Sequence, residues 1–424
     1  MPRITTYIKL KPMQKRAYDL LSEGKSIFLT GAGGSGKSAV VKVFVKNFMK
    51  KMSIAVTSTT GTSALLVNGT TLHSYLGIGM GKGSAESLIQ KIFSMKWLSD
   101  RWKNVDCLVI DEISMLDPDL FDKLEYIARV VRRDQRPFGG IQIVASGDFC
   151  QLPCVGTDKF CFEAKTWNSC IFDTIYLTEV IRQNVGMFQD CLNKIRLGVI
   201  DEQVREVIGS RVGVNLTNEF GIQPTKLYST NASVDEVNNE ELDKLADDSV
   251  EFYEYNMEIF RFSNAKQTHI DKFKKFCTTP ETLQLCVGAQ VMLTYNMDLQ
   301  AGLVNGSRGV VEGFVNDYPN VRFLNGVKQV IENHSWDIEE NNNKILTVEQ
   351  VPLRVAYAIS IHRSQGCSLD YAEIDLSDVF EDGQAYVALS RLKTLEGLSI
   401  IKVDFDKITA NTKAVEYYKN LDVR

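Results

Sequence analysis

A glycine-rich segment, GAGGSGKS at residues 31–38, has the spacing G-x-x-x-x-G-K-S/T of a loop that binds nucleotide phosphates. It follows the apolar run 26–30 and precedes the apolar, helix-periodic run 39–45, so it joins a predicted strand to a predicted helix. Glycines let such a backbone turn tightly and point its N–H groups inward, while the helix that starts at the loop presents the positive end of its dipole to the phosphate. The predicted phosphate-binding residues are Gly31, Ala32, Gly33, Gly34, Ser35, Gly36, Lys37 and Ser38. A flexible turn that ends in Lys-Ser by chance is the alternative, and the strand and helix on either side disfavour it.

Two side chains of this segment have predicted chemical roles. Lys37 would reach the β- and γ-phosphates, and the hydroxyl of Ser38 would ligate Mg²⁺. A second apolar run, LVIDE at residues 108–112, ends in two carboxylates. In an ATPase with this type of loop, Asp111 would hold Mg²⁺ and Glu112 would orient and deprotonate the attacking water. Acidic strand ends are common in α/β proteins, so this assignment depends on the glycine loop upstream.

A third strand end lies in GDFCQLP at residues 147–153, after the apolar run IQIVAS. The amide of Gln151 could form hydrogen bonds with the γ-phosphate or with the attacking water. A simple turn containing Gly and Pro is the alternative. The sequence has no guanine-reading N-K-x-D segment, so ATP is the expected nucleotide.

Several segments together resemble, in order and spacing, the petite-integration-frequency DNA helicases of superfamily 1B. The segments are GAGGSGKS (31–38), TSTTGTSALLVNGTTLHSYLGIG (57–79), IDEISM (110–115), GDFCQLPCV (147–155), LTEVIRQ (177–183), ISIHRSQGCSLD (359–370) and YVALSR (386–391). DKLEYIARVVRR (122–133) looks like the segment that separates this family from its RecD-like and Dda-like relatives. The resemblance extends from about residue 10 to about residue 403. It implies an ATP-dependent motor that moves 5′→3′ on single-stranded DNA and unwinds duplex DNA.

The resemblance also implies roles for three residues that carry no signal alone. Arg391 is placed like the family's arginine finger, Arg182 like its second γ-phosphate arginine, and Gln14 like the glutamine that reads the adenine edge. Guanidinium groups at the γ-phosphate would stabilise the charge of the transition state. The resemblance places the two arginines on the opposite domain, so that ATP would tie the domains together. Taken singly, each arginine is more simply a surface or helix-capping residue.

Residues on the DNA path follow from the same resemblance. They are Thr60, Gly61, Thr62, His73 and Ser74 in the first domain and His362, Ser364 and Gln365 in the second. Hydroxyl and backbone N–H groups there would position phosphates. For His73, a buried structural histidine is the alternative. Tyr75, Phe149 and Tyr295 are candidate aromatics for base stacking, although no motif identifies them.

The elements that must position these residues alternate between apolar strands and amphipathic helices. Strands are predicted at 26–30, 53–57, 105–110 and 141–146, and a second α/β segment is predicted from about Tyr176, resuming at 353–376. The expected fold is α/β, with two RecA-like P-loop domains whose sheets are parallel. Domain 1 spans 1–172, with a short wedge insert at about 77–104, and domain 2 spans 173–424, with a small β-barrel insert at about 296–350. Trp97 and Trp102 in the wedge are expected to be core anchors.

Composition narrows the class of protein. The 424 residues are 44% hydrophobic and 24% charged, as in a soluble globular protein of two or three domains. No apolar run approaches the roughly 18 residues that span a bilayer, so an intracellular protein without membrane contact is expected. The net charge of −5 leaves room for a locally basic groove. Nine single cysteines fit reduced thiols; a zinc site at Cys150, Cys154, Cys161 and Cys170 is an alternative that lacks paired C-x-x-C spacing.

Two departures from the family pattern affect the interpretation. Cys154 occupies a position where a second proline is more usual, and the chain lacks the long terminal extensions of many eukaryotic relatives. A compact bacterial, phage or viral enzyme, or a trimmed catalytic core, is therefore favoured, in the nucleus or the cytoplasm according to host. ATP and Mg²⁺ are the expected cofactors. Single-stranded DNA and single-strand/duplex junctions are the expected partners of a monomeric motor in replication, repair, recombination or telomere maintenance, including G-quadruplex unwinding. A protein-remodelling ATPase and a DNA-binding module with a vestigial ATPase remain the alternatives.

Overall fold

The computed structural model describes most of the chain. The chain divides into two compact units. The described residues are 10–59, 63–64, 67, 69–79, 81, 83–154, 157–178, 186–217, 222–229, 232–246, 250–262, 265–277, 279–298, 300–340, 343–365 and 367–421. Unit 1 comprises Met1–Val185 and Ala410–Arg424, and unit 2 comprises Gly186–Thr409. The first unit therefore takes its residues from both ends of the chain.

Unit 1 is built on a six-stranded parallel sheet. Its strands are β1 (Ile27–Gly31), β2 (Ile54–Ser58), β3 (Thr70–Thr71), β4 (Cys107–Asp111), β5 (Gln142–Gly147) and β6 (Asp173–Leu177). Their order is β3-β2-β4-β5-β1-β6, and every pairing is parallel. The four strands predicted from apolar runs are confirmed, each shifted by one or two residues. Strands β1, β4 and β5 are buried along their whole length, as expected for a sheet covered on both faces.

Helices cover this sheet. Those before residue 172 are α1 (Pro12–Ser22), α2 (Lys37–Phe48), α3 (Leu72–Tyr75), α4 (Ala85–Ser94), α5 (Lys96–Asn104), α6 (Pro118–Arg132) and α7 (Trp167–Cys170). Helix α6 shows why such segments start and stop where they do. The Asp117 side chain accepts a hydrogen bond from the Leu120 N–H at 2.8 Å, Pro118 occupies the first turn, and Arg133 ends the helix in a left-handed conformation.

The domain boundary inferred from the sequence, between residues 172 and 173, is revised. Strand β6 begins at Asp173 and pairs with β1, from Ile27 opposite Asp173 to Gly31 opposite Leu177. Its apolar residues Ile175 and Leu177 join the core formed by α1, α2 and the central strands. Tyr176 therefore belongs to unit 1 rather than to a second α/β segment. Hydrophobic periodicity identifies a strand but does not identify the sheet that it joins.

Unit 2 contains fourteen strands among the residues described. They are β7 (Thr225–Tyr228), β8 (Tyr253–Asn256), β9 (Glu258–Arg261), β10 (Thr282–Leu285), β11 (Gln290–Leu293), β12 (Arg308–Val315), β13 (Tyr318–Phe323), β14 (Lys328–Val330), β15 (His334–Glu340), β16 (Asn343–Gln350), β17 (Leu353–Val355), β18 (Ala358–Ser360), β19 (Ala372–Leu376) and β20 (Leu398–Val403). Four of them form a parallel sheet in the order β18-β7-β19-β20. This sheet is the second α/β layer that the sequence predicts around residues 353–376.

The remaining strands form antiparallel sheets between β7 and β18. Their orders are β14-β13-β12-β11-β17, β15-β16-β9 and β10-β8. The insert therefore starts near Tyr253 and ends at Val355, rather than spanning only about 296–350. Within the described residues β14 and β17 lie at the two edges of the five-stranded sheet, and the small β-barrel implied by the resemblance stays a prediction. A buried apolar cluster on β10, β11, β12, β13 and β17 holds the largest of these sheets.

The helices of unit 2 are α8 (Met187–Arg196), α9 (Glu202–Gly209), α10 (Ala232–Asp243), α11 (Gln267–Phe276) and α12 (Gln384–Leu389). A last helix, α13 (Thr412–Lys419), returns to unit 1. In the part of the chain that the structure describes, no helix is both long enough and apolar enough to cross a membrane.

Candidate active site and nucleic-acid interface

The glycine-rich loop lies between β1 and α2, as the sequence predicts. Gly36 precedes the helix with φ 87°, a left-handed conformation that favours glycine. The Lys37 ammonium group donates hydrogen bonds to the carbonyl oxygens of Gly31 at 2.8 Å and Ala32 at 3.2 Å. The lysine side chain thus folds over the loop, where a bound phosphate would compete with these two carbonyls for its protons. Ser38 is exposed in the first turn of α2.

Gly31 fills a second structural requirement. Its φ is +143°, and a Cβ atom built at this position would lie 2.5 Å from the Leu177 carbonyl oxygen on β6. Cβ atoms essentially never approach backbone so closely, so the neighbouring strand β6 itself requires glycine at this position.

Asp111 and Glu112 end the buried strand β4, two strands from β1 in the sheet. Burial raises the pKa of Asp111, while the nearby Ser146 hydroxyl and Lys37 ammonium oppose that increase. A cation at this carboxylate would favour its ionised form for the same electrostatic reason. Glu112 has φ 52° and ψ 47°, a left-handed conformation that is unusual for a non-glycine residue. Strained backbone of this kind, costing about 1–3 kcal/mol, is frequent where a side chain must be aimed at a reacting group.

Thr59 braces this strand end from β2. Its hydroxyl donates to the Glu112 carbonyl oxygen at 2.9 Å, and its N–H donates to the Asp111 carbonyl oxygen at 3.2 Å. Neither Thr59 nor Ser146 was identified from the sequence. Both contacts join residues that are far apart in the chain, and only the position of Thr59 at the end of an adjacent strand could have indicated its role.

Gln151 follows β5 and is 7% exposed. Its N–H donates to the Asp148 carbonyl oxygen at 3.0 Å, and the Asp148 side chain accepts from the Cys150 N–H at 3.1 Å, so a tight turn holds it. Strands β4, β5 and β1 are consecutive in the sheet and parallel. The sheet therefore places Asp111, Glu112, Gln151 and the glycine loop at one carboxyl edge, the usual location of ligands in such folds.

Gln14 lies on α1 and contacts the same loop. Its amide nitrogen donates to the Ser35 carbonyl oxygen at 3.2 Å, and its amide oxygen accepts from the Lys11 N–H at 3.0 Å. The side chain is therefore held beside the loop. Its role in reading adenine remains a prediction.

Arg391 lies just after α12 in unit 2 and is 3% exposed. Its guanidinium group donates to the Val387 carbonyl oxygen at 2.9 Å and to the Ser390 hydroxyl at 2.7 Å. These contacts are those of a residue that caps its own helix, so the role of arginine finger stays a prediction. Arg182, the second arginine, lies outside the described residues.

The predicted DNA contacts of unit 1 are placed only in part. Thr60, Gly61 and Thr62 lie outside the described residues. His73, half-buried, and Ser74, exposed, occupy α3, which the Thr71 hydroxyl caps at the Ser74 N–H.

The aromatic candidates of unit 1 divide by burial. The guanidinium group of Arg101 lies 5.1 Å from the ring centre of Tyr75 and 5.0 Å from that of Trp97, forming a half-buried cation–π stack. Trp102 is buried and donates to the Leu76 carbonyl oxygen, as expected of a core anchor, whereas Trp97 is only half-buried. Phe149 cannot stack on a base in this structure, because it is fully buried among other aromatic rings.

In unit 2 the segment after β18 forms a tight turn. The His362 Nε2 lies 3.4 Å from a Glu381 carboxylate oxygen, and the Ser364 hydroxyl is buried and donates to the Ile361 carbonyl oxygen at 2.7 Å. Ser364 thus holds the turn in this structure. The Gln365 amide nitrogen is buried without a hydrogen-bond partner among the described residues. Tyr295 stacks on His334, with ring centres 4.0 Å apart.

The zinc alternative receives no support from the described residues. They contain no group of three or more His, Cys, Asp or Glu side chains placed to hold a metal ion. None of the nine cysteines, all of which lie in the described part of the chain, forms a disulfide bond, and burial raises the pKa of the Cys161 and Cys170 thiols, that of Cys170 to about 11. These thiols are therefore protonated core side chains at neutral pH.

Comparison with known proteins identifies the family. The PIF1-like helicase family matches residues 9–206, and the DNA helicase Pif1 2B domain matches residues 271–314. The ATP-dependent DNA helicase PIF1 of Xenopus laevis is 39% identical over 98% of this chain, which spans 65% of that relative's length. Relatives from Invertebrate iridescent virus 6 and Bdellovibrio bacteriovorus are 39% and 34% identical, and the chain spans 94% and 93% of them.

Solved structures of Pif1 helicases are similar to this chain over almost its whole length. The Pif1 helicase of Candida albicans is 36% identical, with a TM-score of 0.79 over 98% of this chain and 100% of that one. Pif1 from Bacteroides sp., in complex with ADP-AlF4, is 27% identical, with a TM-score of 0.80 over 97% of each chain, and the same protein has been solved bound to single-stranded DNA. The fold is that of two RecA-like domains with parallel sheets. The chain belongs to the PIF1-like family of ATP-dependent DNA helicases.

Proposed function

We propose that this protein moves 5′→3′ along single-stranded DNA, unwinds the duplex ahead of it and draws the energy from ATP. The observation that carries this proposal is the carboxyl edge of the unit 1 sheet. There one parallel sheet positions a phosphate loop, an acidic strand end and a glutamine turn on neighbouring strands. A nucleotide-hydrolysing motor needs these three parts together.

Within this proposal, Lys37 binds the β- and γ-phosphates, Glu112 activates the attacking water, and Gln151 contacts that water or the γ-phosphate. Arg182 and Arg391 stabilise the charge that develops on the γ-phosphate, and Gln14 reads the adenine edge. The Bacteroides relative in complex with ADP-AlF4 supports a nucleotide at this site.

Mg²⁺ is the proposed metal, bound by Ser38 and Asp111. A serine hydroxyl and a carboxylate are hard oxygen donors of the kind that Mg²⁺ prefers. The buried position of Asp111, which raises its pKa, is one in which a divalent cation would offset the cost of burying the negative charge. When bound, the metal would neutralise charge on the phosphates.

Single-stranded DNA and single-strand/duplex junctions are the proposed partners. The Bacteroides relative bound to single-stranded DNA supports this, and another solved structure, 27% identical to this chain, concerns two coordinating Pif1 helicases at forked duplex DNA. The proposed contacts are Thr60, Gly61, Thr62, His73, Ser74, His362, Ser364 and Gln365. We propose a monomeric motor, and sedimentation on a tailed duplex long enough for one molecule would test this.

The deciding experiment measures ATP-driven unwinding of two matched duplexes, one with a 5′ single-stranded tail and one with a 3′ tail. We expect the 5′-tailed duplex alone to open, and ATP hydrolysis to rise when single-stranded DNA is added. Glu112→Gln is the control. It should bind ATP and DNA but open neither duplex, because water activation is lost.

Each other outcome changes a defined part of the proposal. Opening of the 3′-tailed duplex alone would reverse the polarity and keep the motor. Hydrolysis that responds to a protein but not to DNA would favour a remodelling ATPase. Binding of DNA with no hydrolysis would favour a module with a vestigial ATPase.

A further inference from the structure

The hydroxyl group of Tyr418, on the last helix α13, joins two strand ends of the ATP site. It lies 2.6 Å from the Thr30 hydroxyl and accepts a hydrogen bond from the Phe149 N–H at 3.0 Å. Thr30 directly precedes Gly31, the first glycine of the phosphate loop, and Phe149 lies two residues before Gln151. A single phenol group thus contacts both β1 and the turn after β5.

The position of this phenol is fixed by packing. The ring of Tyr417 stacks on that of Phe162 with centres 4.1 Å apart, and it also contacts Phe28 and Phe149. The Tyr418 ring meets Tyr176 of β6 at 5.9 Å in an edge-on arrangement. Helix α13 is therefore attached to unit 1 by aromatic contacts that do not depend on the Tyr418 hydroxyl.

The two hydrogen bonds serve buried groups. Thr30 and Phe149 are both fully buried, so the Thr30 hydroxyl and the Phe149 N–H are shielded from water. Buried backbone N–H groups nearly always have a partner, and losing one costs the full desolvation of that group. Without the hydroxyl, the turn that carries Gln151 would have to shift to find another acceptor.

A shift of this turn would move Gln151 relative to the phosphate loop and would therefore change the rate of hydrolysis. The rate of a positioned reaction falls steeply when a group moves by about 1 Å, whereas ground-state binding depends on many other contacts. The glycine loop would bind the phosphates through its own backbone N–H groups, whereas the Tyr418 hydroxyl bonds to Thr30 and Phe149.

We infer that Tyr418 is a positioning residue for ATP hydrolysis, which sets Gln151 relative to the phosphate loop through Thr30 and Phe149. The inference rests on the proposed role of Gln151 at the γ-phosphate. It gives helix α13, which follows all the helicase motifs in the chain, a function in the chemical step.

The test compares Tyr418→Phe with the matched control Tyr357→Phe. Tyr357, in unit 2, also accepts a backbone N–H hydrogen bond, from Gln290 at 3.1 Å, and both substitutions keep the ring. We expect Tyr418→Phe to lower the kcat of DNA-stimulated ATP hydrolysis about tenfold and to leave KM for ATP within about twofold. Tyr357→Phe should leave both within about twofold of the wild type.

A double-mutant cycle adds a readout that a purely structural role would not produce. Thr30→Val removes the partner hydroxyl at nearly constant volume. If the two hydroxyls act together, the loss of kcat in the Tyr418→Phe/Thr30→Val double variant should be clearly less than the product of the single losses. Tyr357→Phe combined with Thr30→Val should show independent effects.

Two results would overturn the inference. One is a Tyr418→Phe protein with wild-type kcat, and the other is a loss of kcat fully accounted for by a lower folded fraction, measured from the thermal unfolding curve. The wild-type ATPase is measured first. Absence of hydrolysis there would contradict the proposed function, whereas a normal wild type with an unaffected variant would contradict this inference alone.

Discussion

The two turns that follow β1 in unit 1 and β18 in unit 2 differ in how they hold their functional groups. The loop 31–38 depends on backbone conformation, with Gly31, Gly34 and Gly36 at positive φ. The turn 361–365 combines backbone hydrogen bonds, such as that from the Ser364 N–H to the Ser360 carbonyl oxygen at 3.0 Å, with side-chain contacts of Ser364 and of His362, which lies against Glu381. Backbone requirements leave a spacing that sequence can reveal, whereas side-chain contacts with distant residues do not.

The same contrast extends to the surrounding sheets. In unit 1, neighbouring strands end in the acidic pair, the glutamine turn and the loop. In unit 2, only β18 leads directly into a predicted DNA contact, and Arg391 follows a short helix. Substitutions that affect the two units differently are therefore informative, and the largest expected effect is in the phosphate loop.

Lys37→Ala should lower ATP hydrolysis by about a thousandfold or more, because Lys37 carries the only positive charge in GAGGSGKS and is the group proposed to bind the β- and γ-phosphates. DNA affinity without nucleotide, measured by fluorescence anisotropy, should change by less than about threefold. Hydrolysis near the wild-type rate would contradict the phosphate role and remove the distinction between the two turns.

Arg391→Lys and Arg391→Ala test whether the arginine of unit 2 acts in chemistry or only caps α12. If Arg391 acts as an arginine finger, the kcat of both variants should fall about 10²–10³-fold, because lysine cannot replace the planar guanidinium group. The melting temperature of the lysine variant should then change little. If Arg391 only caps α12, both variants should have a lower melting temperature and keep the wild-type kcat per folded molecule. Steady-state kinetics together with thermal unfolding separate the two cases.

Gly31→Ala should lower the free energy of unfolding by about 1–3 kcal/mol, since the new Cβ meets the Leu177 carbonyl and φ is unfavourable for alanine. Gly209→Ala, at the end of α9, is the control. A Cβ there meets nothing within 4 Å, so its effect should stay within about 0.5 kcal/mol. Urea unfolding of both variants measures the difference in the free energy of unfolding. Equal stabilities would show that β6 moves away to accommodate the new Cβ atom.

His334→Phe should produce the smallest effect, a change in the pH dependence of stability. Burial lowers the pKa of His334 below its ordinary 6.5, so the unfolded chain binds the proton more readily. The wild type therefore has this stabilisation above pH 6.5 and loses it as the pH falls through the folded pKa. Melting temperatures recorded from pH 8 to pH 5 should fall more for the wild type than for the variant, and parallel curves would contradict the shift.

Much of unit 1 could be predicted because its signals are local. Four apolar runs marked β1, β2, β4 and β5, and the G-x-x-x-x-G-K-S spacing located the loop. The domain boundary failed at β6, because a short apolar strand pairs equally well with either sheet as far as its sequence shows. The antiparallel strands of the insert occupy residues 253–355 rather than only about 296–350, because strand pairing there joins segments that are far apart in the chain.

For individual side chains too, the sequence predicted some positions correctly and others not. Trp102 was expected in the core and is there, whereas Phe149, a candidate for base stacking, is fully buried. Ser364 matched a DNA-binding segment, yet its hydroxyl is used within the turn. An aromatic or a hydroxyl beside a motif is exposed or buried according to what packs on it, and those neighbours lie elsewhere in the chain.

The sequence by itself determined the family, the nucleotide loop, the acidic strand end and the order of the parallel strands' motifs, because each depends on residues close together in the chain. Only the tertiary structure decided that β6 joins the first sheet, that Thr59 holds the backbone of Asp111 and Glu112, and that α13 returns to place Tyr418 against Thr30, 388 residues away. Contacts over such separations arise from the packing of the whole core, and no local pattern encodes them.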